Sequence, residues 1–101
     1  MAWLFVNGKS ADMLEREVTI SNKLGLHARA AAKFVTLASS FECEVKIHRD
    51  STEVNGKSIM GVMMLAASKG TVLKISVAGK GEADALEKLV TLVHDRFGEL
   101  E

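Results

Sequence analysis

His27 and Arg29 are the residues whose types and spacing point to chemistry. They stand in the run Gly25-Leu26-His27-Ala28-Arg29-Ala30-Ala31-Ala32-Lys33-Phe34. The alanine-rich stretch after His27 predicts a helix, so the imidazole falls where a loop becomes a helix. The first turn of a helix carries backbone N–H groups without intrahelical partners, and the macrodipole adds partial positive charge there. Such an end attracts anions. A neutral imidazole nitrogen above it is a nucleophile that can take up a phosphoryl group. The amides of Ala28, Arg29 and Ala30 and the Arg29 guanidinium would then stabilise the phosphoryl oxygens. The plainer reading of the same residues is a polar side chain at a helix start.

The rest of the chain must position that histidine. With 101 residues it is long enough for one domain around a single core. Thirteen basic residues balance thirteen acidic ones without a basic stripe. That argues against nucleic acid and against a polybasic membrane anchor as partners. Cys43 is the lone cysteine, so no internal disulfide is available and the chain suits a reducing, cytoplasmic compartment. Its place in an alternating apolar pattern makes it a small buried hydrophobe rather than a nucleophile. His27, His48 and His94 are scattered, no zinc-ligand spacing occurs and the carboxylates form no metal loop, so no metal or cofactor is expected.

Residues 1–16 read as an extension and residues 17–101 as the domain. Within the extension, Trp3-Leu4-Phe5-Val6 is too short for a signal-peptide core. An edge strand, a docking arm and a start-site artefact (Met13 can open the domain by itself) remain equal readings of it. Residues 17–21 alternate and are β-branched, which predicts a strand. Residues 22–26 form the loop before His27. A helix is expected over 28–39, with Ala31, Phe34, Val35 and Ala38 buried. Residues 41–48 predict a strand with Cys43, Val45 and Ile47 inward and Glu44, Lys46 and His48 outward; 53–54 is the returning strand. A short apolar helix opens at Ser58 and extends to about 67. Residues 72–77 form another strand, with Leu73, Ile75 and Val77 inward. The last helix is expected over 82–97, with Ala83, Leu86, Leu89, Val90, Val93 and Phe97 on one face. The order β-α-β-β-α-β-α, with one-sided alternation in the strands, predicts an α+β fold: an antiparallel sheet with helices on one face.

Two phosphate-loop mimics, Gly56-Lys57-Ser58 and Gly8-Lys9-Ser10, and one dinucleotide mimic fail. Gly56-Lys57-Ser58 has Ser51 where such a loop needs its first glycine, and Gly79-Lys80-Gly81 is followed by Asp84 where a dinucleotide fingerprint needs its third. The short helix around Ile59, Met60, Val62, Met63, Met64 and Leu65 is apolar almost all round. Val62, Leu65 and Ala66 make one face and Met60, Met63 and Met64 another. The methionine face is either core or an adaptable interaction surface, and a helix this short cannot bury every side. Ser58 is a plausible N-cap, and equally a hydroxyl where a phosphate would meet a helix start beside an apolar face.

The run 25–34, the run Val54-Asn55-Gly56-Lys57-Ser58-Ile59-Met60-Gly61-Val62-Met63 and Ala67-Ser68-Lys69-Gly70 together resemble the HPr family, the histidine-containing phosphocarriers of the bacterial phosphoenolpyruvate-dependent phosphotransferase system. The similarity covers about residues 17–98. It implies an open-faced β-sandwich: a four-stranded antiparallel sheet with three helices on one side. It implies that His27 accepts a phosphoryl group through Nδ1 from phospho-enzyme I and passes it to a IIA-type protein, with Arg29 steadying the phosphohistidine. Ser58 would match the serine modified by HPr kinase/phosphorylase. Ala28, Ala32, Ile59, Met60 and Met63 would match the partner-docking face. Such a carrier needs no cofactor, does not insert in membranes and is expected to act as a monomer.

This chain departs from the family pattern at Ala30, where proline is usual. Proline presets φ in a first helical turn, whereas alanine restores an N–H there. Phosphotransfer is expected to survive with an altered rate, so Ala30→Pro should change the kinetics of phosphoryl uptake in a stopped-flow or quench assay. Identical kinetics would make the substitution irrelevant. Two other functions compete with sugar uptake: a nitrogen-type regulatory relay with the same chemistry, and a binding module controlled by Ser58 phosphorylation with His27 silent.

Overall fold

The structure, a computed structural model, describes residues 13–101. The stretch Trp3–Val6 lies outside the described residues. Four strands, β1 (Met13–Thr19), β2 (Glu44–Arg49), β3 (Thr52–Asn55) and β4 (Val72–Ala78), form one sheet in the order β1-β4-β2-β3. All three pairings are antiparallel. Three helices, α1 (Ala28–Ser39), α2 (Ile59–Met64) and α3 (Glu82–His94), complete the expected order.

The alternation in the strands decides which sheet face the helices cover. Val18, Val45, Ile47, Leu73, Ile75 and Val77 are buried, and with Ala31, Phe34 and Ala38 of α1 and Leu86, Leu89, Val90 and Val93 of α3 they make one core. The opposite face carries polar groups. Lys46 meets Glu53 at 3.2 Å, Lys74 meets Glu15 at 3.6 Å, and His48 Nε2 lies 3.1 Å from Ser76 Oγ. This is the amphipathic split of a sheet with one wet face. Cys43 is buried, and that burial pushes its thiol up from its ordinary pKa. It therefore stays protonated and inert as a nucleophile.

Boundaries differ where tertiary contacts overrule local pattern. β1 takes in 13–16, because Leu14 and Arg16 continue the register against Val77 and Ile75. β2 begins at Glu44, three residues later than the alternation suggests. On α3, Ala85 is buried while Ala83 is exposed. The helix stops at His94 instead of running on to Phe97. Phe97 still reaches the core, by way of a tight turn over Arg96–Gly98 whose three residues all have positive φ, at 56°, 55° and 79°.

The short helix α2 is held at both ends. Ser58 Oγ accepts the Gly61 N–H at 3.1 Å, so Ser58 is an N-cap. At the other end Arg49 Nη1 donates to the carbonyls of Leu65 (2.6 Å) and Ala66 (3.0 Å). Val62 and Leu65 face the core; Ala66, in a left-handed conformation after the helix, is exposed rather than buried with them. Ser58→Ala removes the cap and should lower stability by about 1 kcal/mol, as read by urea unfolding.

Candidate functional site

His27 enters α1 from a loop that is tied down along its length. Ile20 N–H donates to Thr71 O at 2.9 Å, Gly70 N–H to Ile20 O at 2.7 Å, and Leu26 N–H to Ala67 O at 2.8 Å. Leu26 and Ala67 are both buried, so the loop is anchored by packing as well. Gly25 makes the final turn with φ +68°, so close to the 67–68 backbone that a Cβ there would lie 2.5 Å from Ala67 O.

His27 is the N-cap of α1, with extended backbone (φ −72°, ψ 177°) and no capping bond from its side chain. The first intrahelical bond joins Ala31 N–H to His27 O at 2.8 Å. The N–H groups of Ala28, Arg29 and Ala30 precede it, which is the arrangement expected of an anion-binding helix start. Arg29 is exposed and its guanidinium has no hydrogen bond or ion pair among the described residues. Together with Lys23, Leu24, His27, Ala28, Glu99 and Glu101 it lines an open cleft of about 650 Å³.

Two residues of this site were not foreseen. Glu99 Oε2 lies 2.5 Å from His27 Nε2, and Glu99 Oε1 accepts a 3.0 Å bond from Asn22 Nδ2. The sequence places Asn22 in the loop before His27 and Glu99 beyond the last helix. No spacing joins positions 72 residues apart; the only local signal is an asparagine in the loop that follows β1, a common turn residue. An ionised Glu99 requires the shared proton on Nε2. The neutral ring then carries its lone pair on Nδ1.

The Asn22 amide, then the hydrogen bond to His27, hold the Glu99 carboxyl below its ordinary pKa. A lowered carboxylate pKa contributes stability above the unfolded value and loses it as pH falls through the folded one. Wild type and Glu99→Ala should therefore differ in urea midpoint at neutral pH. The gap should close below about pH 4.3, the ordinary glutamate value. A gap independent of pH would dismiss the ionised contact.

Of the remaining expected residues, Ala28 lines the cleft and the others lie beside it. Ala28 and Ala32 are on α1, exposed and half-buried. On α2, which packs against α1, Ile59, Met60, Met63 and Met64 are exposed. The methionine face is thus surface. Ser58 is half-buried at its edge. Among the described residues no group of three His, Cys, Asp or Glu side chains could hold a metal, and no helix is long and apolar enough to cross a membrane.

An open sheet backed by helices, with a histidine at the N-cap position of a helix beside an arginine unpaired among the described residues, fits a small carrier of phosphoryl groups. Comparison with known proteins agrees. The family model for the PTS HPr component phosphorylation site matches residues 14–95, and the chain belongs to that family, the HPr phosphocarriers of the phosphotransferase system. Phosphocarrier protein HPr of Pseudomonas aeruginosa is 56% identical over 84 residues, covering 82% of this chain and 93% of that protein. HPr-C-His from Thermoanaerobacter tengcongensis superimposes with a TM-score of 0.84 at 45% identity, over 87% of this chain and 99% of that one. Phosphocarrier protein NPr of Shewanella violacea is 41% identical over 86 residues, 85% of this chain and 94% of that protein. A structure described as an HPr dimer from Thermoanaerobacter tengcongensis matches with a TM-score of 0.70 at 48% identity, over 81% and 94%.

Proposed function

We propose that Nδ1 of His27 receives a phosphoryl group from phospho-enzyme I and delivers it to a IIA-type acceptor in sugar uptake. The observation that carries this is the N-cap placement of a histidine whose Nε2 is already engaged by Glu99, 2.5 Å away. As the bond from phosphorus to its donor breaks, the Nδ1–phosphorus bond forms and the ring becomes cationic. The first-turn amides and Arg29 stabilise the equatorial oxygens, which carry most of the charge in such a transfer. Delivery reverses the same steps.

Ala28 and Ala32 of α1, with Ile59, Met60 and Met63 of α2, form the apolar surface on which enzyme I and IIA-type proteins dock. Flexible methionine side chains suit a face that serves more than one partner. HPr kinase/phosphorylase would modify Ser58 beside that face, adding a dianion that disfavours apolar docking. The carrier acts in the cytoplasm as a monomer, and the extension is confined to residues 1–12, since 13–16 belong to β1.

The similarity to an NPr protein favours a second reading, a nitrogen-type relay, which differs in partners and not in chemistry. Incubation with phosphoenolpyruvate and either a sugar-type or a nitrogen-type enzyme I, followed by intact mass and phosphorus NMR, separates the two. Faster phosphorylation by the sugar-type enzyme supports the first; by the nitrogen-type enzyme, the second. Phosphorylation by neither leaves the regulatory module, and a size measurement by light scattering tests the monomer.

A further inference from the structure

We propose that Asn22 is a positioning residue for phosphoryl uptake, acting through Glu99, and that the two clamp the His27 ring from its Nε2 side. The inference deepens the phosphocarrier reading and rests on it for the identity of the nucleophile.

Asn22 is fully buried, and its Nδ2 donates to Gly25 O at 2.8 Å and to Glu99 Oε1 at 3.0 Å. Both partners accept only. The orientation of the amide is therefore settled by chemistry, because turning it over would set Oδ1 against two oxygens. In this orientation Oδ1 has no partner among the described residues. The Gly25 bond ties the residue into the loop, and the Glu99 bond reaches from there across to the site. What the residue gains is a hold on one oxygen of Glu99, while the other oxygen holds His27.

The backbone on either side keeps Glu99 in place. The left-handed turn at 96–98 reverses the chain after α3. Phe97 is buried and its carbonyl accepts from Lys33 Nζ of α1 at 2.8 Å. Two residues beyond Glu99, the Glu101 carbonyl accepts from Lys23 N–H at 2.5 Å, and the Glu101 carboxylate pairs with Lys23 Nζ at 3.2 Å. Glu99 is thus suspended between anchors on the loop before His27 and on the helix after it.

The consequence for the reaction is twofold. A carboxylate fixed on Nε2 selects the tautomer whose lone pair is on Nδ1, as an orienting carboxylate does for other reactive histidines. When Nδ1 takes phosphorus, the ring gains positive charge, and the existing hydrogen bond becomes an ion pair without any movement of Glu99. No proton needs to leave the site.

The test uses the full chain, labelled with nitrogen-15, in three variants: Glu99→Ala, Asn22→Ser and the pair combined. Long-range proton–nitrogen NMR on the unphosphorylated protein reads the His27 tautomer, and rapid quench with phospho-enzyme I reads uptake. Wild type should hold the Nε2–H form. Glu99→Ala should mix the tautomers and slow uptake on the order of tenfold, the scale of losing an orienting partner. Asn22→Ser should move both readouts the same way by less. The combined variant should match Glu99→Ala alone, since a residue acting through another adds nothing once that other is gone. Unchanged tautomer and rate in Glu99→Ala, or fully additive losses, would overturn the clamp. Should Asn22→Ser fail to fold, the side-chain amide resonances of Asn22 in wild type decide the point. They must shift as Glu99 titrates, and resonances that stay still overturn its role. A wild type that takes no phosphoryl group refutes the carrier reading separately, because the tautomer result does not depend on uptake.

Discussion

His27→Ala should accept no phosphoryl group from phospho-enzyme I. The substitution removes the attacking nitrogen, and no other group in the cleft can replace it: Lys23 is paired with Glu101, and Arg29 is not a nucleophile at neutral pH. The loss should be complete in intact-mass and phosphorus NMR measurements, while wild type gains one acid-labile phosphoryl group. The fold should barely change. The His27 side chain caps nothing, and its one bond, to Glu99, is worth about 1–3 kcal/mol. Arg29→Ala supplies the graded companion. It leaves the nucleophile and removes one charged donor, for a loss on the order of a hundredfold in uptake rate. A phosphorylated His27→Ala protein would place the chemistry elsewhere and end the carrier reading at this site.

Gly25→Ala carries the largest expected cost to stability. With φ at +68° the residue is in a region that side chains avoid, a penalty of about 1–2 kcal/mol for alanine. The added Cβ would also meet Ala67 O at 2.5 Å and Ser68 Cα at 2.8 Å, both backbone atoms that cannot rotate aside. Relief requires the loop to part from 67–68, which breaks the Leu26 N–H bond to Ala67 O. A total near 3 kcal/mol follows, with a fall in melting midpoint of roughly 15 °C for a domain of this size. Because the same bond ties down the loop that delivers His27 to the helix start, uptake per folded molecule should fall too. A midpoint within a degree or two of wild type would show that the two backbones separate freely.

Local features were the legible ones. The α1 limits, 28–39, follow from an alanine-rich run after a loop, since helix propensity and the spacing of apolar residues act within one or two turns. The inward set Cys43, Val45, Ile47, Leu73, Ile75 and Val77 follows from strand alternation, because successive side chains point to opposite faces. Ser58 was legible as a cap because its acceptor and the Gly61 N–H are three residues apart. The HPr resemblance added what periodicity cannot supply, the role expected of His27 and the face expected to dock partners.

What only the tertiary structure decided are contacts between distant parts of the chain. The end of α3 is one: Phe97 reaches the core through three left-handed residues rather than another helical turn, and only packing against the sheet and Lys33 selects that route. The methionine face is another. Its pattern fits core and surface alike, and packing decides: Val62 and Leu65 take the inner side and leave Met60, Met63 and Met64 outside. The Asn22–Glu99–His27 chain is the third. The sequence determined which residue could act as nucleophile, because loop and helix meet there within a few positions. Which nitrogen of that residue meets a partner was decided by a carboxylate 72 positions away, brought to 2.5 Å from Nε2 by the fold, for hydrogen bonds depend on distance in space and leave no mark on spacing along the chain.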